Sequence, residues 1–453
     1  MTLQDSQPTP GTGTMVNSFD PTSAEMLDPV LAGRIARRAR LLGPAYRLFY
    51  REPLTVARGE GALLFDPDGN DYLDAYNNVA SLGHGHPRVV EAVARQMSIL
   101  CTHTRYVQEE ILQLAETMLP SFGGSIADSG HMMFTCTGSE ANDLATRIAM
   151  QKTGKRGVIV TAEAYHGNSF LTAGYSPSLG TQSPLGPFVR RVAAPDSYRR
   201  DPATLGAQMA AEVQAQIEDL ERHGDGIACF IADSLFSSDG IYAHPTDLLG
   251  PVAEVVRAHG GVMIADEVQS GFARSGEALW GYQRHGLDPD IVTMGKPMGN
   301  GFPVAALAIR QDVIADFGAK TRYFNTFGGN TVAVAAAQAV FDTIRDEGLQ
   351  ANALERGEAI RSGLRQFTAK DSRIGDIRGA GLYAALEFVS DPDCKTPDAA
   401  RASACVNRLR EARVLISATG PGANILKIRP PLIFTPAHVD RLLSTLERVL
   451  AEI

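Results

Sequence analysis

Val262-Met-Ile-Ala-Asp-Glu-Val-Gln-Ser-Gly-Phe-Ala-Arg-Ser-Gly276 and Asp290-Ile-Val-Thr-Met-Gly-Lys-Pro-Met-Gly-Asn-Gly-Phe-Pro303 decide the fold between them. Val262 to Ala265 forms a short apolar run that ends on a charged residue, Asp266. Ile291 to Met294 forms another and ends, after one glycine, on Lys296. A strand that is apolar along its length is buried on both faces, the mark of a parallel sheet between helical layers. In such sheets chemistry collects at the carboxyl ends of the strands, so Asp266 and Lys296 are expected at one cleft.

The neighbouring sequence repeats the pattern. Met132 to Cys136, Gly157 to Val160, Ile227 to Ala232 and Val304 to Ile309 read as further strands. Between them, Gly138-Ser139-Glu140 opens a helix whose Ala141, Leu144, Ala145, Ile148 and Ala149 share one face, and Gly154 ends it. Thr246 to Ala258 reads as a second helix, stopped by Gly260-Gly261. Strands alternating with helices predict an α/β fold with a mostly parallel sheet. Nearer the N-terminus, Leu63-Leu64-Phe65, the turn Asp66-Pro-Asp-Gly69 and Tyr72-Leu73 predict a hairpin. After Thr331 the pattern changes to a long Ala-rich helix (Val332 to Ile344), strands at Leu382 to Phe388 and Ile425 to Ile428, and a closing amphipathic helix, Pro436 to Glu452. The expected organisation is a mobile tail over 1–20, a segment over 21–75 that joins a small domain, a large domain over 76–330, and the small α/β domain over 331–453.

Composition excludes several function classes. The 453 residues carry a net charge of −9, and 44% are hydrophobic and 21% charged. That is a globular balance, and it argues against a nucleic-acid partner, which needs a clustered positive surplus. No run of about 18 apolar residues predicts a membrane span. Met1 to Asn17 lacks the apolar core of a signal peptide, and the pair Arg37-Arg38 is not followed by one. The five cysteines include no C-x-x-C pair. Reduced thiols, a cytoplasmic location and no metal site are therefore expected. His84-Gly-His86 reads as a turn before Pro87 rather than a metal pair.

Lys296 lies among three glycines and two prolines, in a loop shaped to admit a planar ligand. A lysine with a depressed pKa forms a Schiff base with an aldehyde cofactor, and a carboxylate at a strand end holds a pyridinium nitrogen protonated. Pro297 excludes a phosphate-binding loop of the P-loop kind, which requires Ser or Thr there. A surface lysine is the plain alternative, and the motif set around it decides between the two.

That set, Ile264-Ala-Asp-Glu-Val-Gln-Ser-Gly-Phe-Ala-Arg-Ser-Gly276 and Asp290-Ile-Val-Thr-Met-Gly-Lys296, closely resembles the class III pyridoxal-phosphate aminotransferases of fold type I. Thr137-Gly-Ser-Glu-Ala-Asn142, Tyr165-His-Gly167 and Asn325-Thr-Phe-Gly-Gly-Asn330 resemble the family's other landmarks in order, and the resemblance runs from about Leu54 to the C-terminus. It implies a large, mostly parallel sheet of seven-stranded type with a smaller α/β domain made of both termini, pyridoxal 5'-phosphate as cofactor, and a homodimer with active sites at the subunit interface. By position, Lys296 is similar to the lysine that forms the Schiff base and then shuttles protons, and Asp266 to the pyridine-nitrogen partner. Gln269 resembles the residue near the cofactor's 3-hydroxyl. Gly138 and Ser139 resemble the phosphate cup, in agreement with the preference of a helix N-terminus for an anion. Tyr165 resembles the aromatic stacked on the ring, with His166 beside it, and Thr326 the threonine that reaches the neighbouring subunit's phosphate. Taken alone, Gly-Ser would be an ordinary N-cap, Tyr165 a core residue and Thr326 a turn residue.

Departures bear on the substrate. Where many class III members carry Glu-Pro-Val-Gln-Gly, this chain has Asp233-Ser-Leu-Phe-Ser237, so Phe236 replaces the glutamine. Ser238 replaces the acidic residue that in some members holds a mobile arginine, and Ser417 stands where amine transaminases carry another arginine. Lys427 and Arg429, in Ile425-Leu-Lys-Ile-Arg-Pro-Pro431, have the i, i+2 spacing of one strand face. They are expected to grip the substrate's anionic end, the alternative being a solvated basic edge. Tyr76-Asn-Asn-Val-Ala-Ser81 and Met298-Gly-Asn300 resemble the subgroup of alanine–glyoxylate-like transaminases and ethanolamine-phosphate phospholyases. The expectation is transamination from an amine donor to a keto acid. Phosphate elimination from a phosphorylated amine is the alternative, and decarboxylation ranks third. A non-catalytic interaction protein is disfavoured because Lys296 and Asp266 are both kept.

Overall fold

The computed structural model describes residues 16–453. A seven-stranded sheet runs in the spatial order His131–Thr135, Ala305–Ile309, Ile291–Met294, Val262–Asp266, Ile227–Asp233, Gly157–Thr161 and Val189–Val192. Ala305–Ile309 is antiparallel to both neighbours, and the remaining pairs are parallel. The chain reverses into that strand through Asn300 and Gly301, both at positive φ.

Alternation along one strand explains the layering. In Ile227–Asp233, Cys229 and Ile231 pack with Leu144 and Ile148 of the helix Gly138–Thr153. Phe230 and Ala232 pack to the other side with Val213 and Ile217 of the helix Leu205–Arg222 and Val252 and Val256 of the helix Leu249–Ala258. Both faces are thus covered by apolar side chains, as a fully apolar strand requires. The helix expected from Thr246 starts at Leu249, because Thr246 to Leu248 form a turn first. The edge strand Val189–Val192 carried no apolar signal, since its centre is Arg190-Arg191, and Arg190 pairs with Asp219 at 2.6 Å.

A second, antiparallel sheet contains Ile374–Ala380, Tyr383–Asp391, Ile425–Ile428 and Ser417–Thr419. The expected hairpin forms from Leu63–Phe65 and Asp71–Asp74, and Val414–Leu415 adds to it in parallel, Val414 opposite Leu73. Residues 1–15 of the expected tail lie outside the described residues. Asn17 and Phe19, which that expectation included, are buried: Ser417 Oγ donates to Asn17 Oδ1 (2.8 Å), and Phe19 N–H to the Leu48 carbonyl (2.8 Å). His84 pairs with Asp74 at 2.8 Å, and His86 faces Glu347 at 3.6 Å. Among the described residues no helix is long and apolar enough to cross a membrane.

Candidate active site

The strand register brings the site together. Asp233 lies opposite Asp266, and Asp266 opposite Thr293, so three polar side chains meet where these strands end. Asp233 and Asp266 border a cavity of about 360 Å³ lined by, among others, Gly138, Ser139, Tyr165, His166, Gln269 and Lys296. Eight of the ten sequence-derived candidates are placed as follows: seven line this cavity, and Thr326, exposed in the chain, does not. Lys427 and Arg429 are buried behind it.

Asp266 is buried and accepts three hydrogen bonds. His166 Nδ1 and Asn142 Nδ2 donate to Oδ2 at 2.6 and 2.9 Å, and Val268 N–H donates to Oδ1 at 3.0 Å. Asn142 is itself locked, accepting from Thr293 Oγ1 at 2.6 Å and donating to the His166 carbonyl at 2.8 Å. Sequence reasoning assigned neither Asn142 nor Thr293 a role. Two signals were available: Asn142 lies one helical turn after Gly138, on the same face, and Thr293 is the one polar residue within an apolar strand.

Lys296 is half-buried in the cavity wall, its Nζ 6.0 Å from the centroid of the Tyr165 ring. Enclosure by protein and the nearby Arg429 charge lower its pKa to about 8, against the opposing pull of Asp266 and Asp233. At neutral pH an appreciable fraction of this amine is therefore unprotonated, as a nucleophile or base requires.

The helix Gly138–Thr153 points its N-terminus into the cavity. Thr137 and Glu140 form a capping box, Thr137 Oγ1 accepting from Glu140 N–H and the Glu140 carboxylate from Thr137 N–H, both at 3.1 Å. The N–H groups of Gly138 and Ser139 lack a carbonyl one turn back and remain for an anion. A Cβ on Gly138 would lie 2.9 Å from the Val268 methyls, so only glycine lets the helix end approach the strand that carries Asp266.

Lys427 and Arg429 do converge, on a polar network rather than on the cavity itself. Lys427 Nζ donates to the Ser237 carbonyl at 3.0 Å. Arg429 Nη1 donates to Gln269 Oε1 at 2.5 Å, and its guanidinium stacks 4.3 Å from the centroid of Tyr76. Gln269 Nε2 closes the circuit by donating to Ser237 Oγ at 2.7 Å. No carboxylate lies within ion-pair distance of either cation among the described residues. Burial and the Arg429 charge hold the Lys427 ammonium well below its ordinary pKa.

The constellation has known counterparts. A family model described as aminotransferase class-III matches residues 49–450. The chain is 38% identical over 443 residues to an alanine–glyoxylate aminotransferase 2-like protein of Drosophila melanogaster, covering 93% of this chain and 89% of that one. It is 37% identical over 436 residues to ethanolamine-phosphate phospho-lyase homolog 1 of Caenorhabditis elegans, covering 92% of each. Among solved structures, a phospholyase from Arthrobacter in complex with phosphoethanolamine superposes with a TM-score of 0.89 at 40% identity, over 93% of this chain and 100% of that one.

Proposed function

We propose that this chain, which belongs to the aminotransferase class-III family, moves an amino group from an amine or omega-amino acid donor to a keto acid such as pyruvate or glyoxylate. Its fold is that of the fold type I enzymes and its cofactor is pyridoxal phosphate. The observation that carries the reading is one cavity shared by the Lys296 amine, of lowered pKa, and the Asp266 carboxylate, fixed by three donors.

The residues fit the cofactor. His166 Nε2 is buried without a partner, and the Gly138 and Ser139 N–H groups are available to a phosphate. Lys296 would hold the aldehyde carbon, Asp266 the ring nitrogen, Gln269 the 3-hydroxyl side, Tyr165 the ring face, and Gly138 with Ser139 the phosphate. When bound, the cofactor's protonated ring serves as an electron sink for the carbon that bears the amino group. Lys296 Nζ, an amine whose pKa lies near the working pH, would accept and return a proton at the substrate carbon that bears the amino group. Asp266 would meet the ring nitrogen with acceptor oxygens held in place, because His166, Asn142 and Val268 all donate to them.

Lys427 and Arg429 serve as the clamp for the anionic end of the substrate. A buried arginine without a carboxylate partner is costly unless an anion joins it, and an anion there would also favour the charged form of Lys427 against the burial that lowers its pKa. Arg429→Ala is expected to raise the KM for pyruvate roughly ten- to a hundredfold, the ratio for losing about 1.5–3 kcal/mol of charged hydrogen bonding. The KM for a neutral aldehyde acceptor should change little. Lys427→Ala should act in the same direction but less, lacking the planar fork. Equal effects on both acceptors would make the cations structural.

The same unpaired cations favour one second reading, elimination of phosphate from a phosphorylated amine, as the name of the Arthrobacter protein describes for that enzyme. A half-reaction screen of the cofactor-loaded protein separates the two. Conversion of the lysine-bound cofactor to its amine form by amine donors supports transamination. Ammonia and phosphate release from phosphoethanolamine, without that conversion, supports the lyase.

We read the protein as a cytoplasmic homodimer whose sites lie at the subunit interface. Five free cysteines support the reducing compartment. Thr326 and Phe327 are exposed, Phe327 at 70%, in a turn whose Asn325 sits beside Cys136 at the cavity wall. That position would let Thr326 meet a neighbouring subunit's cofactor phosphate. Sedimentation that finds a monomer with full cofactor content and activity would end the dimer reading.

A further inference from the structure

The strand Ile227–Asp233 ends in a tightly wound loop, Ser234 to Ile241. Phe236 and Ile241 both hold positive φ, 48° and 62°, although neither is glycine. Such conformations persist only where the surroundings over-determine them. The loop's near end is fixed by Asp233, whose carboxylate accepts from the N–H groups of Leu235 and Ser237, both at 3.0 Å. Its middle presents Ser237 to the clamp, the carbonyl to Lys427 and the hydroxyl to Gln269. Thr419 Oγ1 adds one shared donor, 3.3 and 3.2 Å from the Ser237 and Ser238 carbonyls.

The far end is fixed by a residue from the other sheet. Arg378, on the strand Ile374–Ala380, donates to the Gly240 carbonyl with both Nε (3.0 Å) and Nη2 (2.8 Å). Its Nη1 is anchored on Asp376 (2.7 Å) and Glu387 (2.8 Å), and its guanidinium lies 4.5 Å from the centroid of the Tyr242 ring. Glu387 is fully buried and also receives Arg199 at 2.7 Å, so the anchor is rigid. Gly240 itself has φ 143°, and a Cβ there would lie 2.9 Å from the Tyr242 ring and 3.0 Å from Ile425. Arg378 does not line the catalytic cavity.

We infer that Arg378 is a positioning residue for substrate recognition: by gripping Gly240 it holds the strained loop in the conformation that presents Ser237 to Lys427 and Gln269, and so sets the geometry of the anion clamp. The inference rests on the reading of Lys427 and Arg429 as that clamp. It predicts an effect on anionic substrates from a residue that touches none.

The test uses the cofactor-loaded enzyme and two acceptors, pyruvate and a neutral aldehyde. Arg378→Lys keeps the positive charge beside Asp376 and Glu387 but cannot direct two N–H groups at one carbonyl. It should raise the KM for pyruvate about five- to tenfold, the size expected for one or two lost hydrogen bonds. The KM for the aldehyde and both kcat values should stay within about twofold. Gly240→Ala disturbs the same loop from the other side and should shift the pyruvate KM likewise, so it decides the question if Arg378→Lys does not fold. In a Lys427→Ala background Arg378→Lys should add little, since residues acting through one network are not additive. Unchanged discrimination, equal rises for both acceptors, or full additivity with Lys427→Ala would overturn the inference. If Lys427→Ala itself fails to discriminate, the clamp reading falls and this inference with it. If Lys427→Ala discriminates and the Arg378 and Gly240 variants do not, only this inference falls.

Discussion

Lys296→Ala is expected to lose the visible absorption of lysine-bound cofactor and to lower turnover by at least about 10³-fold, since proton transfer by a positioned side chain alone contributes about 10²–10⁴-fold. The fold should persist. Lys296 sits half-buried in a cavity wall and makes no ion pair among the described residues. Borohydride reduction of the parent enzyme followed by peptide mapping checks the assignment, and a label on any other lysine would refute it. The pH dependence carries a second signature. With the amine's pKa lowered to about 8 from 10.5, cofactor capture by the cofactor-free protein should accelerate up to about pH 8 and then level off. The sign for stability follows from the same shift. Between about pH 8 and 10.5 the unfolded chain binds more protons at this site than the folded one, so this site's contribution to folding stability rises with pH across that window. An ordinary lysine would show a capture rate still climbing above pH 10.

Asp266→Asn is the second large effect. The variant should retain part of its cofactor, because Lys296 and the helix N-terminus at Gly138 are untouched. Turnover should fall by about 10²–10³-fold, the usual result of removing one preorganised charge from a water-poor site. The local geometry compounds the loss. Both oxygens of Asp266 accept hydrogen bonds, Oδ2 from His166 and Asn142 and Oδ1 from Val268. An amide must place its NH₂ against donors on one side or the other. Steady-state rates measured at matched cofactor occupancy decide the point, and activity within a few-fold of the parent would remove Asp266 from the mechanism.

Asp266 and Lys296 were legible in the sequence because Asp266 directly follows an apolar run and Lys296 follows another after one glycine, so local pattern and site coincide. The Gly138–Thr153 helix was legible for the same reason, its cap and its apolar face being written within sixteen residues. The spacing of Lys427 and Arg429 predicted their convergence. It did not reveal that Arg429 spends a donor on Gln269 and Lys427 one on Ser237, because those contacts join residues far apart in the chain. Asn142 escaped a role for the opposite reason. It lay inside a quoted motif, but its three partners come from two other strands and a loop. Val189–Val192 was missed because an edge strand tolerates charge, and Arg190 satisfies itself on the neighbouring helix.

The hairpin near the N-terminus, Leu63–Phe65 with Asp71–Asp74, gains its last neighbour from Val414–Leu415. During synthesis on the ribosome that partner emerges only after the seven strands of the large sheet have been made. The early hairpin therefore waits with one open backbone edge throughout most of translation, and open edges recruit other strands. A chain ending before Val414 would keep that edge for good. It should appear in the insoluble fraction of an expressing cell even though every residue of the large sheet is present, and a soluble, cofactor-binding fragment of that length would show that the edge is harmless.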